Sequence, residues 1–275
     1  MNTLLSVGHG YSAQALARRL LPAGWRIVAT TRSEEKARAL AATGVEPVVW
    51  QGGALPLSGV THLLSSVAPE AAGDPVLRDN REAIAAAGLS WIGYLSTTAV
   101  YGDHAGGWVD EDTQPAPAMP RAIWRAKAEA EWSPLSAHVF RLAGIYGPGR
   151  GPFEKLRAGT ARRIVKPGQL FSRIHVEDIA QVLAASMARP DPGRVYNVCD
   201  DEAAPADEVL ACAADISGLP LPPAEPYDPA TMTAMAASFY SESRRVRNDR
   251  IKTELGVRLL YPTYREGLAA LLQAS

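Results

Sequence analysis

The opening residues, MNTLLSVGHGYSAQALARRLL, constrain the fold of this 275-residue chain more than any other stretch. TLLSVG (3–8) is a short apolar run without polar alternation, which suits a strand covered on both faces. YSAQALARRLL (11–21) carries apolar side chains at helical spacing. Between them stand two glycines one residue apart. A strand feeding a helix through a tight turn is the first unit of a parallel α/β sheet.

The same alternation continues. Strands are expected at 26–32, 46–50, 61–67, 91–97 and 138–146, with helices at 33–43 and 74–88. The pattern predicts an α/β fold, a Rossmann-type doubly wound parallel sheet of about seven strands with right-handed crossovers. After residue 150 it loosens into helices at 176–188, 204–217 and 244–256 around a short strand, RVYNVCD. Residues 1–150 therefore read as a dinucleotide-binding core. Residues 151–275 read as a mixed part that completes the sheet and forms a small C-terminal substrate lobe.

Gly8, Gly10 and Ala13 spell G-x-G-x-x-A. Gly8 permits the turn, Gly10 lets the backbone approach a pyrophosphate, and Ala13 keeps the helix close to the strand. Tyr11 and Ser12 open the helix, whose free N–H groups face the phosphates. His9 reads as a loop residue of this turn rather than a catalyst. The second strand ends in ATTRSEEK, with Thr31, Arg32 and Ser33 where an NAD-binding unit carries an acid for the ribose 2′-OH. Arg32 suits a 2′-phosphate, with Thr31 or Ser33 donating hydrogen bonds; a solvated arginine at a strand end is the alternative. The expected cofactor is NADP, with NAD possible.

The net charge of −1 gives no electrostatic footprint for nucleic acid. No apolar run approaches the roughly 20 residues of a membrane span, and no charged, apolar leader is read at the N-terminus. Cys199 and Cys212 suit reduced thiols, and the five histidines lack metal-ligand spacing, so no metal is expected. A cytoplasmic monomer or homodimer with a small-molecule substrate, and neither nucleic-acid nor membrane partner, is the expectation.

GHGYSA, YLSTTAVYGD, VFRLAGIYGPGRGP, SRIHVEDIA, VYNVCDDE and RVRNDRIKTELGVRLLYPTYREGL together resemble the extended short-chain dehydrogenase/reductases, the NAD(P)-dependent epimerase/dehydratases, in their atypical branch. The likeness runs through nearly the whole chain. It implies that Thr97 matches the catalytic Ser/Thr, hydrogen-bonding a substrate carbonyl or alcohol, with Thr98 as a neighbour able to substitute. It also implies that Lys127 matches the lysine that holds the nicotinamide ribose and tunes the catalytic tyrosine. The tyrosine position itself is Ile123, and no tyrosine in the chain is followed four residues later by lysine. Tyr101 and Tyr146, at strand ends, are candidate replacement phenols. Phe171 stands where sugar-nucleotide epimerases carry a substrate-phosphate arginine, with Arg173 two residues on, and Gly144 replaces a frequent asparagine. Two functions follow as expectations. One is an NADP(H)-dependent oxidoreductase or epimerase on a small carbonyl or alcohol, with a non-standard proton donor. The other is a non-catalytic NADP-binding sensor or scaffold.

Overall fold

The computed structural model describes residues 1–274. The chain runs β1 (Thr3–Val7), α1 (Tyr11–Leu20), β2 (Arg26–Thr31), α2 (Glu34–Ala41), β3 (Glu46–Val49), β4 (His62–Ser65), α3 (Pro75–Ala86) and β5 (Trp91–Thr97). It continues through β6 (Trp108–Val109), α4 (Pro120–Trp132), β7 (His138–Leu142), β8 (Gly144–Tyr146), α5 (Phe153–Arg157), β9 (Arg163–Val165), β10 (Arg173–His175) and α6 (Val176–Ala188). The remainder holds β11 (Val195–Val198), α7 (Ala206–Ser217), β12 (Ala224–Pro226), α8 (Ala234–Phe239), β13 (Arg245–Val246), α9 (Asp249–Thr253) and α10 (Tyr264–Gln273).

Seven strands form one sheet in the order β11-β7-β5-β4-β1-β2-β3, every neighbouring pair parallel. Strand alternation divides the core between the two faces. In β1, Leu4 packs with Leu16 of α1 and Ile179 and Leu183 of α6, whereas Leu5 and Val7 pack with Val76 and Leu77 of α3 and Trp132 of α4. A third cluster joins Phe153 and Leu156, Val209 and Leu210, and Leu268 and Leu271, tying α5, α7 and α10 together. The strand order reverses between β1 and β4, and ligands in such sheets bind beyond the carboxyl ends of the strands at that point.

Two stretches differ from the sequence reading. The run at 138–146 is two strands: the chain leaves the main sheet after Leu142, and β8 pairs with β10. The helical pattern at 244–256 becomes a helix only at Asp249–Thr253. Before it, the N–H of Arg245 donates to Gly107 O at 2.8 Å and that of Arg247 to Val109 O at 2.9 Å. Pairing with a distant strand outweighs local helix propensity there. Among the described residues no helix is long and apolar enough to cross a membrane.

Candidate active site

A cleft of about 1620 Å³ opens where the strand order reverses, bounded by the glycine turn, the end of β5, α4 and the C-terminal lobe. The turn is held from behind by β2. Buried Thr30 accepts the Gly8 N–H on its Oγ1 at 2.8 Å and the His9 N–H on its carbonyl at 3.1 Å. Gly8 has φ +76°, and a Cβ there would meet Val67 Cγ2 at 2.9 Å, so only glycine fits. Gly10 has an ordinary φ of −97°, and a Cβ there would find nothing nearer than Gly8 O at 3.7 Å. Its bareness leaves an open cradle in front of α1. No side chain caps that helix, so the N–H groups of its first turn, at Tyr11, Ser12 and Ala13, face the cleft. These features fit a pyrophosphate.

His9 is turned inward. Its Nδ1 lies 2.9 Å from Ser6 Oγ, and burial pushes its pKa down to about 4, so the ring is neutral at pH 7 and does not line the cleft. The Tyr11 hydroxyl donates to Pro148 O at 3.0 Å, tying the turn to the GPGRGP loop. At the end of β2, Ser33 caps α2 by accepting from Lys36 N at 3.3 Å, and Thr31 is half-buried. Arg32 is exposed, and among the described residues it forms no ion pair. Its guanidinium is free to take a phosphate.

Thr97 and Thr98 both line the cleft at the end of β5. Thr97 Oγ1 accepts the Ala99 N–H at 3.2 Å, leaving its own proton for another acceptor. The two tyrosines are committed elsewhere. Tyr101 is buried, with its hydroxyl 2.7 Å from Asn197 Oδ1 and 3.0 Å from Arg141 Nη1. Burial pushes its pKa up to about 12. The Tyr146 ring helps form the wall, but its hydroxyl turns to Thr263 O at 3.4 Å and packs over Gly267 of α10. Burial, with Asp200 and Asp178 nearby, raises its pKa. Both hydroxyls already have partners other than Thr97.

Helix α4 departs furthest from expectation. Lys127 is exposed and does not line the cleft, nor does Ile123. The rotation of the helix decides this. Glu129 forms a buried ion pair with Arg141 at 2.8 Å and accepts from Ser96 Oγ, while Trp132 Nε1 donates to Asp74 Oδ2 at 2.9 Å. With these two side chains turned inward, Arg125 faces the cleft. Lys127, two residues on and so about 200° around the helix, faces away from it. Arg125 Nη1 donates to Leu95 O at 2.7 Å and to the Tyr94 hydroxyl at 3.1 Å. Arg121, one turn earlier, also lines the cleft. Two arginines at i and i+4 thus stand on the cleft face of α4, where the resemblance implied tyrosine and lysine. The helical phase of Ala122, Glu129 and Trp132 was the available signal for Arg125.

The polar loop after β5 is structural. Asp103 accepts the Ser243 N–H at 2.8 Å, Glu111 accepts the Asn197 N–H at 2.8 Å, and Asp112 pairs with Arg250 at 2.9 Å. None of these lines the cleft. Among the described residues, no group of three or more His, Cys, Asp or Glu side chains is placed to hold a metal ion.

No family model matches the chain. A conserved protein of unknown function from Silicibacter pomeroyi superposes with a TM-score of 0.96 at 61% identity, covering 100% of this chain and 99% of that one. A Methylobacillus flagellatus protein assigned to the NAD-dependent epimerase/dehydratases superposes with a TM-score of 0.75 at 26% identity, covering 99% and 98%. In fold and sequence the chain is thus similar to the NAD-dependent epimerase/dehydratases, which are extended short-chain dehydrogenase/reductases. Among curated proteins, the chain is similar to the 3-diazoavenalumate denitrifying reductase of a Streptomyces species, at 31% identity over 179 residues. That match spans 58% of each chain.

Proposed function

We propose that the chain is an NADP(H)-dependent oxidoreductase or epimerase acting on a small carbonyl or alcohol, with arginines where the superfamily's tyrosine and lysine would act. One observation carries the reading. The cradle at Gly10 and the uncapped start of α1 share a cleft with Thr97 and Arg125. Proteins of the same fold, 21% and 18% identical, were solved with NAD and NADPH respectively, which supports the cofactor class. The cleft exceeds the roughly 300–1,000 Å³ of a single small-ligand pocket, leaving room beside a dinucleotide.

The nicotinamide, when bound, supplies the hydride chemistry. The first turn of α1 holds the pyrophosphate, and Arg32 takes the 2′-phosphate. Arg125, anchored through Nη1, offers its remaining guanidinium N–H groups to a ribose hydroxyl or a developing oxyanion. It cannot deliver a proton. Thr97 orients the substrate oxygen. A simple alkoxide product therefore forgoes the ~10²–10⁴-fold contribution of a positioned acid. Electron-poor acceptors, whose reduced anion is delocalised and protonated by water, suit the site better. The partial relative named for reducing a diazo compound supports reduction over epimerisation.

The absence of tyrosine from α4 favours a competing reading, a non-catalytic NADP-binding sensor or scaffold. Titration with NADPH, followed by turnover on a panel of electron-poor carbonyls, separates the two. Wild type should bind, and Gly10→Val, while still folded by circular dichroism, should bind at least about tenfold more weakly, a loss of about 1.4 kcal/mol. Thr97→Ala should lower kcat about 10²-fold. Binding without turnover would support the sensor. A wild type that binds no NADPH would contradict both.

A further inference from the structure

The cleft lining carries Arg121, Arg125, Arg150, Lys155, Arg162, Arg173 and Arg244 against a single carboxylate, Glu242, in a chain of net charge −1. These cations fall into separate groups. Arg121 and Arg125 belong to α4, and Arg150 lies over the Tyr11 ring at 5.7 Å, at the glycine-turn end. Arg162 is paired with Glu225 at 2.6 Å and Arg244 with Glu242 at 2.8 Å. Arg173 is different. Its Nη1 is fixed by Phe171 O at 2.8 Å and Ala204 O at 2.9 Å, yet its Nε and Nη2 donate to no protein group, and it has no ion-pair partner among the described residues. Asp200 is close enough to interact electrostatically, but burial raises its pKa, and neither of its carboxyl oxygens hydrogen-bonds to the Arg173 guanidinium. An anchored guanidinium with one free edge is a receptor for a planar carboxylate.

The surrounding wall is apolar. The Phe171 ring meets Tyr240 edge-on at 5.5 Å, and Tyr240 lies 5.2 Å from Tyr227. On α8, Met235 and Phe239 line the same cleft while 55% and 64% exposed. Large apolar side chains one helical turn apart, open to solvent inside a cleft, mark a surface that a ligand covers.

We propose that this wall takes a carboxylate with an apolar aryl or acyl body, the carboxylate on Arg173 and the body against Phe171, Tyr240 and α8. The inference rests on the reading of the cleft as a cofactor-plus-substrate site. The probes are 3-phenylpropanoate, its neutral amide, octanoate and propanoate, each titrated by ligand-observed NMR with and without NADPH. 3-Phenylpropanoate should bind roughly 10- to 100-fold more tightly than its amide, the contribution of one charge-assisted contact. Propanoate should bind weakly for lack of a body, and octanoate reports whether an acyl chain serves as well as an aryl ring. Arg173→Gln should remove the preference for acid over amide. Should that variant fail to fold, Phe239→Ser, at an exposed position, should weaken both 3-phenylpropanoate and its amide while leaving NADPH binding unchanged. Equal binding of acid and amide by protein that binds NADPH would overturn the inference alone. Selective carboxylate binding by protein that binds no NADPH would support this site and remove the cofactor reading instead.

Discussion

The two ends of the cleft are built from different parts of the chain's chemistry. At the glycine turn the backbone presents the site: Gly8 sets a left-handed conformation, Gly10 stays bare, and α1 starts without a cap. At α4 and the C-terminal wall side chains present it: Arg125, Arg121, Arg173 and the aromatic cluster around Phe171. A backbone site depends on residues adjacent in sequence. A side-chain site depends on how each helix is rotated, and contacts distant in sequence fix that rotation.

The largest effect should come from releasing α4. Glu129→Ala leaves Arg141 buried on β7 without its carboxylate, and removing one partner of such a pair costs about 3–5 kcal/mol. Urea unfolding measures the loss, which would show that the side-chain end depends on this anchor. A loss below about 1 kcal/mol, typical of exposed pairs, would break the comparison. Next is Arg32→Ala, which should weaken NADP about 10- to 100-fold in a fluorescence titration and leave NAD unchanged, since one charge-assisted contact contributes ~1.5–3 kcal/mol. Equal loss for both cofactors would detach Arg32 from the 2′-phosphate.

How much of this was legible in the sequence follows the same division. The strand–glycine–helix unit and the seven-stranded parallel sheet were readable because periodicity and glycine spacing are local. The position of Thr97, at the cleft end of β5, was readable because a strand end fixes it. Lys127 was misplaced because matching the motif fixed a sequence position but not the phase of α4, which depends on Asp74 and Arg141. Tyr101 and Tyr146 looked available at strand ends. Their hydroxyls are taken up by Asn197, Arg141 and Thr263, partners no local pattern reveals. The strand at Arg245–Val246 was hidden for the same reason, its pairing partner being β6.

Smaller effects sharpen the contrast. Gly8→Ala should cost about 1–2 kcal/mol of stability, because φ +76° is strained for alanine, and the Val67 contact adds to it. Gly10→Ala, at the N-cap of α1 with no φ strain and no close neighbour, should cost less, up to about 1 kcal/mol. Thermal melts of the pair compare them, and equal losses would deny that Gly10 is bare for a ligand. Smallest is Lys127→Ala, expected to change stability by no more than about 0.5 kcal/mol and to leave NADPH affinity unchanged. A cofactor titration that found Lys127→Ala impaired and Arg125→Ala intact would reverse the assignment on α4.

A crystal structure with NADPH tests the central claim most directly. The pyrophosphate should lie at Gly10 and the first turn of α1, with the 2′-phosphate on Arg32. An Arg125 nitrogen should lie within hydrogen-bond distance of the nicotinamide ribose or of the space beside Thr97, with Lys127 in solvent. A cofactor held by Lys127, or one seated away from Gly10, would contradict the account.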